Sequence, residues 1–127
     1  MTIVFICSGN TCRSPLAVAA WHALHNVSAS SAKGFDLVRE IEVNSAGLAA
    51  PEGAPASPNT IAVAREWGID LSGHRARPLS ESLVRTADLI CTMTSSQAAA
   101  VDAYFASMAR NVRVLGEFSE FCGEAKQ

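Results

Sequence analysis

A short apolar run, followed at once by a polar loop and a proline, constrains the fold of this chain more than any other feature. Residues Thr2 to Ile6 are mostly β-branched or aromatic, and the run suits one buried strand but is too short for a helix. Pro15 fits the first turn of a helix, and Ser14 is a residue type that caps helices. The stretch therefore predicts a strand, a tight loop and a helix in immediate succession.

The predicted loop has the composition of an anion-binding site. Gly9 and Asn10 lie within it, and these two residue types adopt a positive φ most easily. A loop curled in this way lets successive main-chain N–H groups point inward, and the N-terminus of the following helix adds its positive dipole end. We therefore expect a phosphate-sized oxyanion to be bound by Ser8, Gly9, Asn10, Thr11, Cys12 and Arg13.

Cys7 lies at the strand end of this loop, where its sulfur shares the field of the N–H groups and of Arg13. Such surroundings lower the pKa of a thiol and populate the thiolate. The planar guanidinium of Arg13 suits two oxygens of one anion, and the Ser14 hydroxyl can donate to the sulfur. The pattern predicts Cys7, Arg13 and Ser14 as catalytic residues. The alternative is a buried strand cysteine followed by an ordinary Gly-Asn turn.

Length and charge limit the classes of protein to which the chain can belong. The 127 residues suit one domain with one core, and the net charge of −2 provides no basic patch for nucleic acid or an anionic membrane. No apolar run approaches the roughly 18 residues of a membrane span, and no charged segment typical of a signal peptide precedes the first strand. We expect a cytoplasmic monomer with no nucleic-acid or membrane partner.

The cysteines and histidines favour reduced thiols over a metal centre. The four cysteines, at positions 7, 12, 91 and 122, form no Cys-x2-Cys pair. His22 and His25 lie three residues apart on the predicted first helix, without a nearby carboxylate or thiolate, and solvent-facing positions are expected for them. Cys12 is either a small packing residue or the partner of Cys7 in a reversible disulfide that protects the nucleophile. No metal and no cofactor are expected.

Strand and helix signals alternate along the rest of the chain. Predicted strands cover Ile41 to Ser45 (ending in an Ala46-Gly47 turn), Asp88 to Met93, and Val112 to Leu115. The first predicted helix covers Pro15 to Val27, and its apolar positions are Leu16, Ala20, Leu24 and Val27. The second starts at Ser57-Pro58 and ends at Gly68, with Trp67 in packing, and a short third helix is capped by Ser80. The fourth begins with a Thr94/Gln97 capping box and has an apolar stripe of Val101, Phe105 and Met108. This alternation predicts an α/β domain with a four-stranded parallel sheet, helices on both faces, and Cys7 at the carboxyl ends of the strands.

The loop resembles the signature of the low-molecular-weight protein tyrosine phosphatases, which reads Cys-x-Gly-Asn-x-Cys-Arg-Ser-Pro. The resemblance extends to Asn44-Ser45-Ala46-Gly47, to Gly73-His74-Arg75-Ala76-Arg77 and to Ala87-Asp88-Leu89-Ile90, in family order. It implies a metal-independent protein phosphatase that forms a phosphocysteine on Cys7 and releases inorganic phosphate, which also acts as an inhibitor. By the same resemblance, Ser45 and His74 hold Asn10 in its strained conformation.

The chain departs from this family near its C-terminus. Relatives supply the leaving-group proton from an Asp-Pro-aromatic motif shortly after the fourth strand, and residues 116–127 contain no such motif. Glu117, Glu120 and Glu124 are nearby acids, but none precedes a proline. The expectation is a single phosphatase domain over residues 1–127 that lacks the acid loop and the last helix, as a truncated chain would. The identity of the general acid is left open.

The substrate class depends on a few side chains. Thr11 occupies a position where tyrosine-directed relatives carry a larger aliphatic residue, whereas phosphoarginine-directed relatives carry Thr. Few aromatic residues between Leu48 and Pro58 are available to enclose a tyrosine ring. Both features favour phosphoarginine over phosphotyrosine. Arg75 and Arg77 would meet an acidic or phosphorylated substrate, or be solvated.

Three other functions share part of this pattern. An arsenate reductase of the same fold would need two more cysteines after the third strand, where this chain has Thr94-Ser95-Ser96. A phosphate-binding module without catalysis becomes plausible if the general acid is truly missing. A phosphocarrier subunit has a similar loop but does not need Arg13 followed by Ser14-Pro15.

Overall fold

The structure is a computed structural model that describes residues 1–29, 41–105 and 108–115, with side chains for all of these except 25–29. Its strands form a four-stranded parallel sheet in the order β2-β1-β3-β4. The strands are β1 (Thr2–Cys7), β2 (Glu42–Gly47), β3 (Leu89–Thr92) and β4 (Val112–Val114). The fold class predicted from the alternating pattern is confirmed.

Three of the four helices of the described ranges begin where the capping signals place them, and α1 begins earlier than predicted. They are α1 (Arg13–Ala29), α2 (Pro58–Glu66), α3 (Glu81–Thr86) and α4 (Ser95–Phe105). Ser57 and Ser80 accept hydrogen bonds from main-chain N–H groups in the first turns of α2 and α3. In the predicted capping box of α4, Thr94 accepts from the main-chain N of Gln97 at 3.2 Å, and the Gln97 amide oxygen accepts from the main-chain N of Thr94 at 3.1 Å.

The core occupies both faces of the sheet, because alternate residues of β1 point in opposite directions. Val4 and Ile6 belong to one cluster, which includes residues of α3 and α4. Ile3 and Phe5 belong to the other cluster, on which α1 packs. Val101 is buried in the first cluster, and Phe105 and Met108 pack against it, as predicted. Helices therefore cover both faces, and β1 is buried at the centre.

The predicted apolar face of α1 is wrong at Leu24. Leu24 is 68% exposed, whereas Ala19 is fully buried and Val18 and Trp21 pack against the cluster around Phe5. Small and apolar residues occur all around this helix, so periodicity in the sequence does not determine which side faces the sheet. The contacts with β1 and β2 determine it instead.

Trp67 and several strand boundaries also differ from the sequence interpretation. Trp67 caps the C-terminus of α2, as the positive φ of the following Gly68 permits, but it is 42% exposed and borders an apolar groove on α1. The third strand starts at Leu89, and the carboxylate of Asp88 before it accepts the main-chain N of Thr2 at 2.8 Å. The second strand continues through Gly47 instead of turning there.

Several predictions lie outside the described residues. They concern Cys122, Glu117, Glu120 and Glu124, and the side chains of His25 and Val27. The extent of the domain and its missing acid loop also stay predictions. Within the described ranges, no helix has both the length and the apolar character needed to cross a membrane.

Candidate active site

The predicted anion-binding loop lies at the carboxyl end of β1, between β2 and β3. The strand ends at Cys7 and α1 begins at Arg13, so the loop connects them directly. Cys7 is 3% exposed, and its carbonyl accepts the main-chain N of Leu48 at 3.0 Å. Open α/β sheets bind ligands at this edge, where the strands end and helices begin.

Asn10 is the structural centre of the loop. It is fully buried and has a positive φ of 55°, as predicted. Its amide nitrogen donates to the hydroxyls of Ser14 and Ser45, both at 2.9 Å, and its amide oxygen accepts the main-chain N of Arg77 at 2.9 Å. Its carbonyl oxygen lies 2.7 Å from Nε2 of His74. The contacts that the family resemblance implies for Ser45 and His74 are therefore present.

These bonds fix the strained conformation from three directions. An asparagine in the left-handed region costs free energy, which must be offset by its surroundings. Here the first turn of α1, the end of β2 and the segment around Arg77 each contribute a partner to Asn10. The loop is consequently held in one shape before any ligand binds.

The Cys7 thiol receives hydrogen bonds from this loop. The Ser14 hydroxyl lies 3.0 Å from Sγ, and the main-chain N of Asn10 donates to Sγ at 3.2 Å. Because Ser14 already accepts a hydrogen bond from Asn10, its own proton is available to the sulfur. Burial raises the pKa of Cys7, but the bonds from Ser14 and Asn10, together with the charge of Arg13, outweigh it and hold the pKa below its usual value.

Two conformational predictions for the loop are wrong. Gly9 does not have a positive φ, and a Cβ placed on it would meet only Thr11 Oγ1 at 3.6 Å. Asn10 alone provides the left-handed residue of the loop. Ser14 does not precede the helix but lies inside its first turn, so its hydroxyl faces the sulfur instead of capping α1. The sulfur and the buried Asn10 amide compete successfully for that hydroxyl.

Gly47 is required for a reason that the sequence does not reveal. A Cβ on Gly47 would lie 2.7 Å from the carbonyl oxygen of Ser8 and 3.0 Å from the main-chain N of Asn10. That carbonyl also accepts the main-chain N of Ala49 at 2.8 Å. The end of β2 thus lies directly against the predicted anion-binding loop, and only a residue without a side chain permits this approach.

The segments around the loop are attached to it by main-chain bonds. The main-chain N of Ser57 donates to the carbonyl of Thr11 at 2.8 Å, which connects the start of α2 to the loop. Arg77 donates from Nε to the carbonyl of Ser45 at 3.1 Å, and Arg75 donates to the carbonyl of His74 at 2.8 Å. Arg77 therefore connects Asn10 with the end of β2, a role that we did not predict for it, whereas Arg75 is exposed and bonds to carbonyls of its own segment.

Arg13 is exposed at the start of α1. The salt bridges found among the described residues join Arg85 to Glu81 and Arg110 to Asp88, so none of them engages Arg13. Its guanidinium is consequently free of a carboxylate partner within the described part of the chain. An oxyanion bound above Cys7 would provide a negatively charged partner for Arg13.

Cys12, Cys91 and His22 have surroundings unlike those of Cys7. Cys12 is exposed and Cys91 is buried in β3, where burial raises its pKa; Cys7, Cys12 and Cys91 are all free thiols. The proposed Cys7–Cys12 disulfide therefore stays a prediction. His22 is exposed, as expected. Among the described residues, no three His, Cys, Asp or Glu side chains form a group able to hold a metal ion.

The side chain of Gln97, on α4, makes a contact with the loop that we did not predict. Its amide nitrogen donates to the Ser8 hydroxyl at 3.1 Å, across 89 positions of sequence. The sequence identified Gln97 only as a helix-capping residue. Local patterns provide no signal for such a contact, because it depends on the packing of α4 beside β1.

The chain matches the family described as "Low molecular weight phosphotyrosine protein phosphatase" over residues 2–126. It is 40% identical over 121 residues to a probable low molecular weight protein-tyrosine-phosphatase, EpsP, of Ralstonia solanacearum, covering 94% of this chain and 74% of that protein. It is 32% identical over 118 residues to a protein-arginine-phosphatase of Bacillus subtilis, covering 93% of this chain and 72% of that protein.

Solved structures are similar over the same range. A low molecular weight protein tyrosine phosphatase from T. tengcongensis superimposes with a TM-score of 0.79 at 34% identity, covering all of this chain and 79% of that one. A mutant of YwlE from Bacillus subtilis superimposes with a TM-score of 0.78 at 30% identity, covering 93% of this chain and 73% of that one. The described loop, sheet and helices therefore have close counterparts of known structure.

Proposed function

Because the chain belongs to the low molecular weight phosphotyrosine protein phosphatase family, whose members are cysteine-dependent protein phosphatases, we propose that it hydrolyses phosphorylated side chains through a phosphocysteine on Cys7. One observation supports this proposal above the others. The buried Cys7 thiol accepts hydrogen bonds from Ser14 and Asn10, which lower its pKa despite burial. A thiolate held in this way beside a helix N-terminus is suited to attack a phosphoryl group.

In the first step, the Cys7 thiolate attacks phosphorus in line with the leaving group. A sulfur–phosphorus bond forms, and the bond from phosphorus to the substrate oxygen or nitrogen breaks and leaves its electron pair on that atom. The main-chain N–H groups of the loop and the Arg13 guanidinium bind the three equatorial oxygens, where negative charge is concentrated. Because Asn10 is already held by its buried partners, these donors do not need to reorganise.

In the second step, water attacks phosphorus, the sulfur–phosphorus bond breaks, and inorganic phosphate leaves. The Ser14 hydroxyl, 3.0 Å from Sγ, stabilises the departing thiolate as it stabilised the attacking one. A solved structure of the arginine phosphatase YwlE, in which cysteine is replaced by serine, carries a phosphorylated active-site serine. That observation on a relative supports a covalent intermediate at the equivalent side chain here.

The substrate class that we favour is phosphoarginine, with phosphotyrosine as the other member of the same reaction type. Relatives named for both substrate classes match this chain. Thr11 supports phosphoarginine because its hydroxyl suits a guanidinium better than an aromatic ring. The carbonyl of Thr11 is bonded to Ser57, so the residue is held at the mouth of the loop. We propose phosphorylated proteins as substrates and a reducing compartment such as the cytoplasm, which keeps Cys7 reduced.

The nucleophile is tested by comparing two cysteine variants. Cys7→Ser should abolish turnover of p-nitrophenyl phosphate, whereas Cys91→Ser, which changes a buried thiol of raised pKa, should retain it. Rapid acid quenching followed by mass spectrometry should find one phosphoryl group on the peptide that contains Cys7. Activity that survives in Cys7→Ser would refute the proposal.

Substrate choice is tested with matched phosphoarginine and phosphotyrosine peptides. The wild type should show the higher kcat/KM on phosphoarginine, and Thr11→Ile should shift the ratio towards phosphotyrosine because it replaces a hydroxyl with an aliphatic surface. An unchanged ratio would show that Thr11 does not select the substrate. The conservative variant Thr11→Ser, which retains the hydroxyl, provides the control.

A further inference from the structure

The Gln97 side chain connects the first helical turn of α4 with the phosphate loop. Gln97 is 5% exposed. Its amide oxygen accepts two main-chain N–H groups, from Met93 at 2.9 Å and from Thr94 at 3.1 Å. Its amide nitrogen donates to the Ser8 hydroxyl oxygen at 3.1 Å. A buried carboxamide thus spans the gap between the end of β3 and the residue that follows the nucleophile.

The two main-chain donors fix the orientation of this carboxamide. An N–H group can bond only to the oxygen of an amide side chain, so the oxygen of Gln97 must face Met93 and Thr94. The NH2 group must then face Ser8, where it can only donate. The Ser8 oxygen is consequently an acceptor in this contact, and its proton points elsewhere.

The Ser8 proton has no acceptor among the residues that the structure describes. The one hydrogen bond found for the Ser8 hydroxyl there is the bond from Gln97. Ser8 is exposed, although Cys7 before it and Asn10 after it are buried. An oriented donor therefore lies at the open side of the loop, next to the sulfur that receives the phosphoryl group.

We propose that Ser8 donates a hydrogen bond from its side chain to the bound phosphoryl group and that Gln97 is the positioning residue that directs this donor. The inference rests on the proposed phosphatase function and extends it from the main chain of the loop to a side chain. A bond from Gln97 to the Ser8 oxygen also polarises the hydroxyl and strengthens it as a donor. The helix cap and the catalytic loop therefore share one carboxamide.

The variant Gln97→Glu separates the two roles of this residue. The introduced glutamate retains an oxygen for the main-chain N–H groups of Met93 and Thr94, as capping boxes with Glu do. Its second oxygen is an acceptor, so Ser8 would donate to it instead of to substrate. The negative charge of the new carboxylate would also repel phosphate, and this repulsion acts whether or not Ser8 has a hydroxyl.

A double-mutant cycle of Ser8→Ala and Gln97→Glu isolates the contribution through Ser8. The repulsion between the introduced carboxylate and phosphate is the same with and without the Ser8 hydroxyl, so it cancels when the two backgrounds are compared. Ser8→Ala should lower kcat/KM on p-nitrophenyl phosphate by about tenfold and raise the inhibition constant of inorganic phosphate by a similar factor. Gln97→Glu should cost several-fold more in the Ser8 enzyme than in the Ser8→Ala enzyme. Equal losses in both backgrounds would overturn the role of Gln97, and an unchanged inhibition constant in Ser8→Ala would overturn the donor.

Thr94→Ala is the matched control, because it weakens the same helix cap without touching Ser8. It should lower Tm while leaving kcat/KM and phosphate inhibition close to those of the wild type. Loss of activity in Thr94→Ala equal to that in Gln97→Glu would show that the cap alone matters. If the wild type itself failed to hydrolyse p-nitrophenyl phosphate, the proposed function would be overturned, and this inference with it; losses confined to the variants concern this inference alone.

Discussion

Two buried thiols on neighbouring strands have pKa values shifted in opposite directions. Cys7, at the carboxyl end of β1, is 3% exposed, and Cys91, inside β3, is 5% exposed. Burial raises the pKa of Cys91. Burial also acts on Cys7, but hydrogen bonds from Ser14 and Asn10 and the charge of Arg13 outweigh it. Burial to a similar degree therefore accompanies either a raised or a lowered thiol pKa, according to the donors around the sulfur.

The position of each cysteine along its strand explains this difference. Cys91 is aligned with Phe5 on one side and Arg113 on the other, so the N–H groups around it belong to the sheet. At Cys7 the strand ends, and the chain curls through Asn10 into α1 with its N–H groups released from the ladder. A strand end followed by a helix start can direct main-chain donors at a sulfur, and a strand centre cannot.

The largest effect that would test this comparison is expected from the two arginines near the two thiols. Arg13→Ala should lower kcat on p-nitrophenyl phosphate by about 10²- to 10³-fold, because it removes a charged donor from the oxyanion. Arg113→Ala, which changes the residue aligned with Cys91, should leave kcat close to the wild-type value. Similar losses in both variants, measured by steady-state kinetics, would contradict a local role for the loop.

Removal of the Asn10 side chain is expected to have the second largest effect. Asn10→Ala deletes the hydrogen bonds to Ser14, Ser45 and Arg77 and leaves alanine at a positive φ. We expect the free energy of unfolding to fall by about 2–4 kcal/mol and kcat/KM by roughly 10²-fold. Urea denaturation and kinetics check both values. Asn59→Ala, at an exposed position of α2, should change neither.

A smaller effect is expected where β2 meets the loop. Gly47→Ala places a Cβ against the Ser8 carbonyl and should cost about 1–3 kcal/mol of unfolding free energy and roughly tenfold in kcat/KM, because the loop must shift. Gly73→Ala is the matched control, since nothing lies within 4 Å of a Cβ there and its φ is not in the left-handed region. Equal tolerance of both substitutions would refute the close approach.

The smallest expected effect is a displacement along the pH axis. The depressed pKa of Cys7 means that its thiolate forms at lower pH than an ordinary thiolate, so iodoacetamide should alkylate Cys7 well before Cys91. Ser14→Ala removes a donor to the thiolate, raises the pKa of Cys7, and should move the rise in alkylation rate to higher pH. Ser82→Ala, at an exposed position of α3, should not move it. Mass spectrometry at each pH identifies the alkylated cysteine, and alkylation of Cys91 before Cys7 would contradict the prediction.

The sequence predicted the parts of the site that are close together in the chain. Cys7, Arg13 and Ser14 fall within eight consecutive residues, so one strand end and one helix start place all three. The positive φ of Asn10 was also predicted, because it follows from the residue type within a tight loop. Gly9 was misjudged because a flexible residue permits a positive φ without requiring one.

Contacts between distant segments were predicted only where a family motif marked them. The hydrogen bonds of Ser45 and His74 to Asn10 were expected from the resemblance. The bonds from Arg77 to Asn10 and from Gln97 to Ser8 were not, since neither has a local signal. The orientation of α1 was also misjudged, because a helix with small apolar residues on every side can present any of them to the sheet.

The sequence by itself determined the chemistry of the loop and the alternation of strands and helices, because both depend on residue type and on neighbours along the chain. Only the tertiary structure decided that Arg77 supports Asn10, why Gly47 must lack a side chain, and that Gln97 contacts Ser8. The physical reason is that parallel strands bring their carboxyl ends to one edge of the sheet. At that edge, residues many positions apart provide the donors and the close contacts that no local pattern encodes.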